Sequence, residues 1–326
     1  MKYTNAILLS KTGGPEVLSY QEIELPDLTE GQVLIKHDYI GVNFIDTYFR
    51  SGLYPTDLPS GLGSEAAGTV VALGPGVTRV KVGDRVVYAS APLGAYSEAH
   101  VVPEKSLIIL PNEVSSKIAA GMMLKGLTAA YLLLKTFPLS KDHCILVHAA
   151  AGGVGSILTQ WAKSIGAYVI GTVGRPEKAA LAKEQGCDEV ILYRQSDVPT
   201  RVKELTAGLG VDVVYDSVGK DTFAASIDSL KPRGMLVSFG NASGAVPEFK
   251  PLLLAQKGSL FLTRPTLAHY VADPDEQQEL ADSLFKQVVN KHVMINVNYE
   301  FELAEAKNAH KALESGATTG SVVLTT

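Results

Sequence analysis

The stretch Cys144–Gly155, reading CILVHAAAGGVG, constrains the fold more than any other part of the chain. An apolar run, Ile145-Leu146-Val147, enters a cluster of small residues that holds Gly152, Gly153 and Gly155. Ile157, Leu158, Trp161 and Ile165 follow at spacings of three and four, which puts them on one helical face. The stretch therefore predicts a strand, a tight turn and a helix. Glycines in such a turn let the backbone approach a pyrophosphate, and free N–H groups at the helix start attract its charge. The pattern is Ala149-x-x-Gly152-x-x-Gly155, with Ala where the better-known fingerprint has its first Gly. Alone, it reads equally as a plain glycine turn between a buried strand and a helix.

The downstream sequence decides between these readings. Tyr168–Val173 is β-rich, and Pro176–Gln185 is helical with Pro in its first turn. A short strand at Glu189–Leu192, a helix holding Arg201–Leu205, a buried strand at Val211–Tyr215 and a helix at Thr222–Leu230 come next. Gly234–Phe239 reads as a strand, Leu252–Gln256 as a short helix and Ser259–Leu262 as a last strand. Strands alternating with helices give a parallel, doubly wound sheet with helices on both faces. Upstream, Ile118–Leu134 is helical by period.

From Tyr3 to about Pro111 the pattern is short and β-like, with Gly13-Gly14-Pro15 and Gly31 marking turns. This predicts a small, partly open β-barrel. After Arg264 the alternation stops: Gln277–Val289 and Leu303–Leu313 read as helices, Gly316 as a C-cap and Val322–Leu324 as a final strand. So short a tail cannot form its own core and is expected to pack on the N-terminal domain. The expected division is residues 1–124 with 265–326 for one domain and 125–264 for the other.

At 326 residues the chain is long enough for two domains. A net charge of -5 without any Lys/Arg run excludes a nucleic-acid footprint. The N-terminus lacks a signal-peptide pattern, and Lys125 interrupts the most apolar stretch, so neither secretion nor a membrane span is expected. With only Cys144 and Cys187 and no CxxC pair, the expected setting is a reduced cytoplasm, without disulfides or a zinc lobe.

Several motifs together resemble the medium-chain dehydrogenase/reductases, and within them the zinc-free NADPH:quinone oxidoreductases, or zeta-crystallin-like proteins. They include Gly13–Leu18, Gly41–Tyr48, Arg50–Pro55, Gly94–Ser97, Lys125–Thr128 and His148–Gly155. Val214–Gly219, Val237–Asn241 and Thr263–Pro265 complete an ordered set that runs nearly end to end. The resemblance implies a GroES-like catalytic domain, a Rossmann domain and a cofactor held in the cleft between them.

Zinc relatives carry Cys where this chain has Asn43, and a His-Glu pair where it has Ser64-Glu65. A catalytic zinc needs about three N, S or O side-chain ligands. No metal is therefore expected, and Glu65 is expected to be structural, pairing a buried Arg. NAD enzymes place an acid near the end of the second strand, but here Gly171–Arg175 holds none before Glu177. NADPH is the expected cofactor, and the resemblance assigns Lys178 and Tyr193 to its 2′-phosphate. It also assigns Gly152, Gly153, Val154, Gly174, Thr128, Tyr131, Ser217, Phe239, Gly240, Asn241 and Arg264 to cofactor binding. At Gly316 the chain departs from related bacterial enzymes, which often have an Arg there that reaches the cofactor.

Without zinc, nothing polarises an alcohol, so the expected substrate already holds an electron-poor carbon: a quinone, or alternatively an enone or enal. Asn43, Asp46, Tyr48 and Tyr54 match the pocket segment of the family. Asn43 or Tyr48 is expected to hydrogen-bond a substrate carbonyl, and Tyr54 to wall the pocket. Asp46 either binds the cofactor ribose or braces the loop. A non-catalytic, crystallin-like NADPH-binding protein is the remaining alternative. A homodimer is expected through the sheet edge near Ser259–Leu262.

Overall fold

A computed structural model describes residues 2–326, which divide into two compact units. The first comprises residues 2–125, Val271–Val289 and Ile295–Thr326; the second comprises Gly126–Tyr270 and Asn290–Met294.

The first unit opens with β1 (Tyr3–Leu9), β2 (Leu18–Glu24), β3 (Gln32–Val42), α1 (Phe44–Ser51), β4 (Ser60–Gly61) and β5 (Glu65–Leu73). Then come β6 (Arg85–Ala89), β7 (Ala99–Pro103), β8 (Ile108–Ile109) and the start of α2 (Ser116–Tyr131). β1 pairs antiparallel with β2 and with β4. β3 is long enough to pair with both β5 and β7, and Ala6 bridges to Ser97, so the two sheets close partly on one another. Ile35, Ile40, Val70, Tyr88, Tyr96 and Val102 fill the interior.

The second unit holds the alternating train: β9 (Cys144–Val147), α3 (Gly153–Ile165), β10 (Tyr168–Val173), α4 (Pro176–Glu184), β11 (Glu189–Leu192) and α5 (Val198–Leu205). It continues through β12 (Val211–Asp216), α6 (Phe223–Ser229), β13 (Leu230–Ser238), α7 (Leu252–Gln256), β14 (Phe261–Thr263) and α8 (Leu267–Tyr270). All neighbours pair parallel in the order β11-β10-β9-β12-β13-β14. The order reverses beside β9, so the turn after β9 lies at the switch point where such sheets bind ligands. Leu146, Ile170, Val202, Val214, Ile227 and Leu236 form the core.

The tail returns to the first unit through α9 (Pro274–Val289), β15 (Val297–Glu302), α10 (Ala306–Glu314) and β16 (Ser321–Thr325). β16 joins β3 antiparallel, with Val323 opposite Gly41, and β15 extends the sheet beyond it. The tail thus packs on the N-terminal barrel.

Five features differ from the sequence expectations. The helix α1 and the elements α8 and β15 were not anticipated. The α1 signal was present in Asn43 at the N-cap, Asp46 three residues later and Gly52 with φ +83° at the C-terminus. The buried partner of Glu65 is Lys125, not an Arg. Ser116–Thr136, 21 residues, is long and apolar enough by composition to cross a membrane despite Lys125, and most of it is buried. Lys125 is accommodated because Glu65 compensates its charge.

Candidate active site

In the second unit the chain leaves β9 at Val147, and the backbone N–H of His148 donates to Tyr215 O at 3.0 Å. Ala149 adopts φ +53°, a left-handed conformation that explains why related turns use glycine here. Gly152 is the N-cap of α3, and its amide donates to Ala149 O at 2.8 Å. A Cβ on Gly155 would overlap that same carbonyl oxygen, so only glycine lets α3 start this close to the strand. Gly152, Gly153 and Val154 remain partly open at the N-terminus of a 13-residue helix, a cradle suited to a pyrophosphate.

At the end of β10, a Cβ on Gly174 would meet the Tyr193 hydroxyl at 2.7 Å, so the tyrosine covers this glycine. The Arg194 guanidinium lies 6.0 Å from the Tyr193 ring. Lys178, on the first turn of α4, is held below its ordinary pKa, first by burial and then by repulsion from Arg175. Two cations thus share this corner beside a half-exposed phenol.

Ser217 follows β12, and Phe239, Gly240 and Asn241 follow β13. They form one ledge. Phe239 N donates to Asp216 O at 2.8 Å, and a Cβ on Gly240 would overlap the Ser217 carbonyl. Asn241 and Arg264 line a cavity of about 570 Å³ with Phe223, Val246, Phe249 and Leu262. Thr128 and Tyr131 are buried on α2, and the Tyr131 ring stacks on Tyr270 at 4.3 Å and 13°. Gly152, Gly153 and Val154 thus follow β9, Ser217 follows β12 and Phe239, Gly240 and Asn241 follow β13, while Tyr131 on α2 brings in Tyr270, an addition no motif announced.

In the first unit, α1 carries Asn43, Asp46 and Tyr48. The Tyr48 and Tyr54 rings lie 5.2 Å apart, edge to face, and Tyr54 N donates to Tyr48 O at 3.1 Å. Asn43 is buried and donates its Nδ2 to Glu65 Oε2 at 2.6 Å. Glu65 Oε1 accepts the Leu124 amide at 2.6 Å, and Lys125 Nζ lies 3.9 Å from Oε2. A Cβ on Gly41 would overlap the Glu65 carboxylate, which accounts for that glycine. Asp46 is fully enclosed; its Oδ2 accepts the Asn43 amide at 2.8 Å and the Tyr96 hydroxyl at 2.9 Å. Burial raises the Asp46 carboxyl to about 7. Its bonds go to protein groups, which favours bracing over ribose binding.

Sequence reasoning missed Tyr96, His310 and Arg50. The Tyr96 hydroxyl lies 3.0 Å from His310 Nε2, and His310 Nδ1 lies 3.0 Å from Arg50 Nη1. Arg50 pairs with both carboxylate oxygens of Glu314 at 2.6 and 2.9 Å. No local pattern links residues 214 positions apart, such as Tyr96 and His310.

Comparison with known proteins matches residues 29–112 to an "Alcohol dehydrogenase GroES-like domain" and residues 153–284 to a "Zinc-binding dehydrogenase". A quinone oxidoreductase of Pseudomonas aeruginosa is 53% identical over 313 residues, 96% of each chain. The chain belongs to the quinone oxidoreductase family. Within this family, a solved structure of Escherichia coli quinone oxidoreductase complexed with NADPH superposes with TM-score 0.97 at 48% identity, covering 99% of this chain and 100% of that one. A 2-haloacrylate reductase of a Burkholderia species is 43% identical over 98% of each chain. The fold is thus that of a quinone oxidoreductase: a GroES-like domain and a Rossmann sheet.

The zinc in the name of the second matched family does not suit this chain. Among the described residues, no group of three or more His, Cys, Asp or Glu is placed to hold a metal. The Glu65 carboxylate is engaged by an amide side chain, a backbone N–H and an ammonium, which leaves a donor set unsuited to zinc. The glycine cradle and the cation pair, by contrast, fit NADPH.

Proposed function

We propose that this chain reduces quinones with NADPH and uses no metal to do so. The observation that carries the reading is the corner at Gly174, where Tyr193 covers the glycine and Lys178 and Arg175 repel one another. A 2′-phosphate would be attracted by both cations, while a carboxylate there would instead favour a ribose hydroxyl. The NADPH complex of the E. coli relative supports the same choice.

When bound, NADPH supplies a hydride to an electron-poor carbon. Gly152, Gly153 and Val154 hold the pyrophosphate, and Gly174, Lys178 and Tyr193 the 2′-phosphate. Thr128 and Tyr131 orient the nicotinamide half, and Ser217, Phe239, Gly240, Asn241 and Arg264 contact the cofactor along the carboxyl edge of the sheet. Asn43 gives one side-chain N–H to Glu65; the Tyr48 hydroxyl, from its place in the family's pocket segment, is assigned as a donor to a substrate carbonyl, with Tyr54 as the ring wall. A reduced quinone leaves as a phenol-like oxygen with pKa about 10, which water protonates without a strong acid from the protein.

The haloacrylate-reducing relative favours a second reading, reduction of activated C=C bonds. NADPH oxidation measured with a panel of quinones and enones separates the two. Faster turnover of every enone than of any quinone would replace the first reading with the second. The chain acts in the cytoplasm as a homodimer joined along β14, the exposed edge of its sheet, where Phe261 is 58% exposed.

A further inference from the structure

His148, 1% exposed within the second unit, has a different partner at each ring nitrogen. Nδ1 lies 2.9 Å from Thr172 Oγ1, and Nε2 lies 3.0 Å from Ser226 Oγ. Ser226 donates its hydroxyl proton to Asp216 Oδ2 at 2.7 Å, which leaves its oxygen only lone pairs to offer His148. The imidazole therefore carries its proton on Nε2 and accepts at Nδ1 from the Thr172 hydroxyl. Burial keeps the ring neutral by lowering its pKa, consistent with one donor and one acceptor. The chain has a single direction: Thr172 to His148 to Ser226 to Asp216.

Both ends of this chain reach cofactor-binding segments. Asp216 Oδ1 accepts the amides of Val218 at 2.8 Å and Gly219 at 3.1 Å, and the Thr222 hydroxyl reaches both carboxylate oxygens. These bonds shape the loop that carries Ser217. That loop in turn anchors the next one, with Ala242 N donating to Ser217 O at 3.2 Å and Ser243 N to Val218 O at 2.8 Å. At the other end, His148 is the residue between β9 and Ala149, whose φ of +53° starts the glycine turn. The neighbouring Ala150 N donates to Thr172 O at 3.1 Å, so Thr172 holds the turn by backbone and side chain alike.

We infer that His148 is a positioning residue for the cofactor: through Ser226 and Asp216 it locks the phosphate-binding turn and the Ser217–Asn241 ledge in one register. The inference rests on the NADPH reading above. A dinucleotide spans both segments, so its binding energy depends on their mutual placement, which small errors spoil. The imidazole has both nitrogens committed to protein, and it acts only through the segments it joins.

Fluorescence titration with NADPH and steady-state kinetics of the full chain test this. His148→Ala is expected to raise the Kd and KM for NADPH about tenfold, the cost of orphaning buried polar groups. At saturating NADPH, kcat should stay within about twofold, because the hydride step itself is untouched. Ser226→Ala cuts the same link and should give the same split, and the double variant should be no worse than either single one. His148→Gln, whose amide can reach Ser226, should recover most of the affinity. Wild-type NADPH affinity in Ser226→Ala, additive effects in the double variant, or no recovery in His148→Gln would overturn the inference and leave the NADPH reading standing. Ser226→Ala carries the test even where His148→Ala does not fold. A wild-type protein that binds no NADPH overturns both.

Discussion

The Tyr193 hydroxyl stands 2.7 Å from the position a Cβ would take on Gly174, so a phenol roofs the end of β10 where NAD enzymes keep an acid. Beside it, Lys178 is lowered in pKa by burial and by Arg175. Lys178→Ala is therefore expected to raise the NADPH KM by about tenfold or more while leaving the NADH KM nearly unchanged. Paired kinetics with the two cofactors decide the point. Equal effects on both would remove Lys178 from 2′-phosphate binding.

The Tyr48 and Tyr54 rings, 5.2 Å apart, place one phenol hydroxyl on α1 against a supporting ring. Tyr48→Phe should lower kcat/KM for quinones by about tenfold, the value of one hydrogen bond to a developing charge, with the fold intact. Unchanged kcat/KM for every quinone tested would show that the hydroxyl takes no part.

Four histidines, three of them buried and His100 half-buried, make the fold acid-sensitive. Burial lowers His37 to about 4, His100 and His310 to about 3, and His148 in the same direction. Unfolded, each would titrate near 6.5, so below that pH the unfolded chain binds more protons than the folded one. Stability is complete above about 6.5 and is lost as pH falls toward 3–4. Asp46, raised to about 7, works the other way: its contribution is present at low pH and lost as pH rises through 7. Glu65, raised by burial as well, works in the same direction as Asp46. Four groups outweigh two, and the melting temperature should fall between pH 7 and pH 5. A constant melting temperature over that range would contradict the neutral assignment of these rings.

Arg50 is 3% exposed and pairs with Glu314, whose side chain is 36% exposed. Glu314→Ala would leave the guanidinium with only the Gly13 carbonyl and a neutral imidazole and cost about 2 kcal/mol, less than a fully buried pair because one partner is wet. Urea denaturation measures the loss. An unchanged midpoint would mean that solvent replaces the carboxylate freely.

At the edge of the parallel sheet, Phe261 on β14 is 58% exposed. Phe261→Lys should dissociate the proposed homodimer, since a charge on an edge strand opposes strand-to-strand pairing. Sedimentation or light scattering on both proteins reads the mass. A wild-type monomer, or a variant that stays dimeric, would exclude this edge as the interface.

Much of the second unit was legible because its signals are local. The β10 and β11 limits and the α7 segment follow from apolar runs and turn residues a few positions apart. Gly155 stands where the Ala149 carbonyl leaves no room for a Cβ, and Gly152 and Gly174 where one would crowd the Ala149 carbonyl and the Tyr193 ring, a need that shows directly in sequence. β15 was harder to read, because its alternating half-buried pattern acquires meaning only from its parallel partner β16. The small helix α1 hid behind motif residues, although Asn43, Asp46 and Gly52 marked both its ends.

The amino-acid order alone determined the parallel sheet, the glycine cradle and the lack of an acid after β10, since each depends on neighbours within one turn or strand. Only the tertiary structure decided that Glu65 is met by Lys125 and that Asp46 is braced by Tyr96. It alone also decided that His148 joins Thr172 to Asp216 through Ser226. Those partners come from separate strands and helices, and a buried charge or hydroxyl takes whichever complementary group the fold brings within about 3 Å.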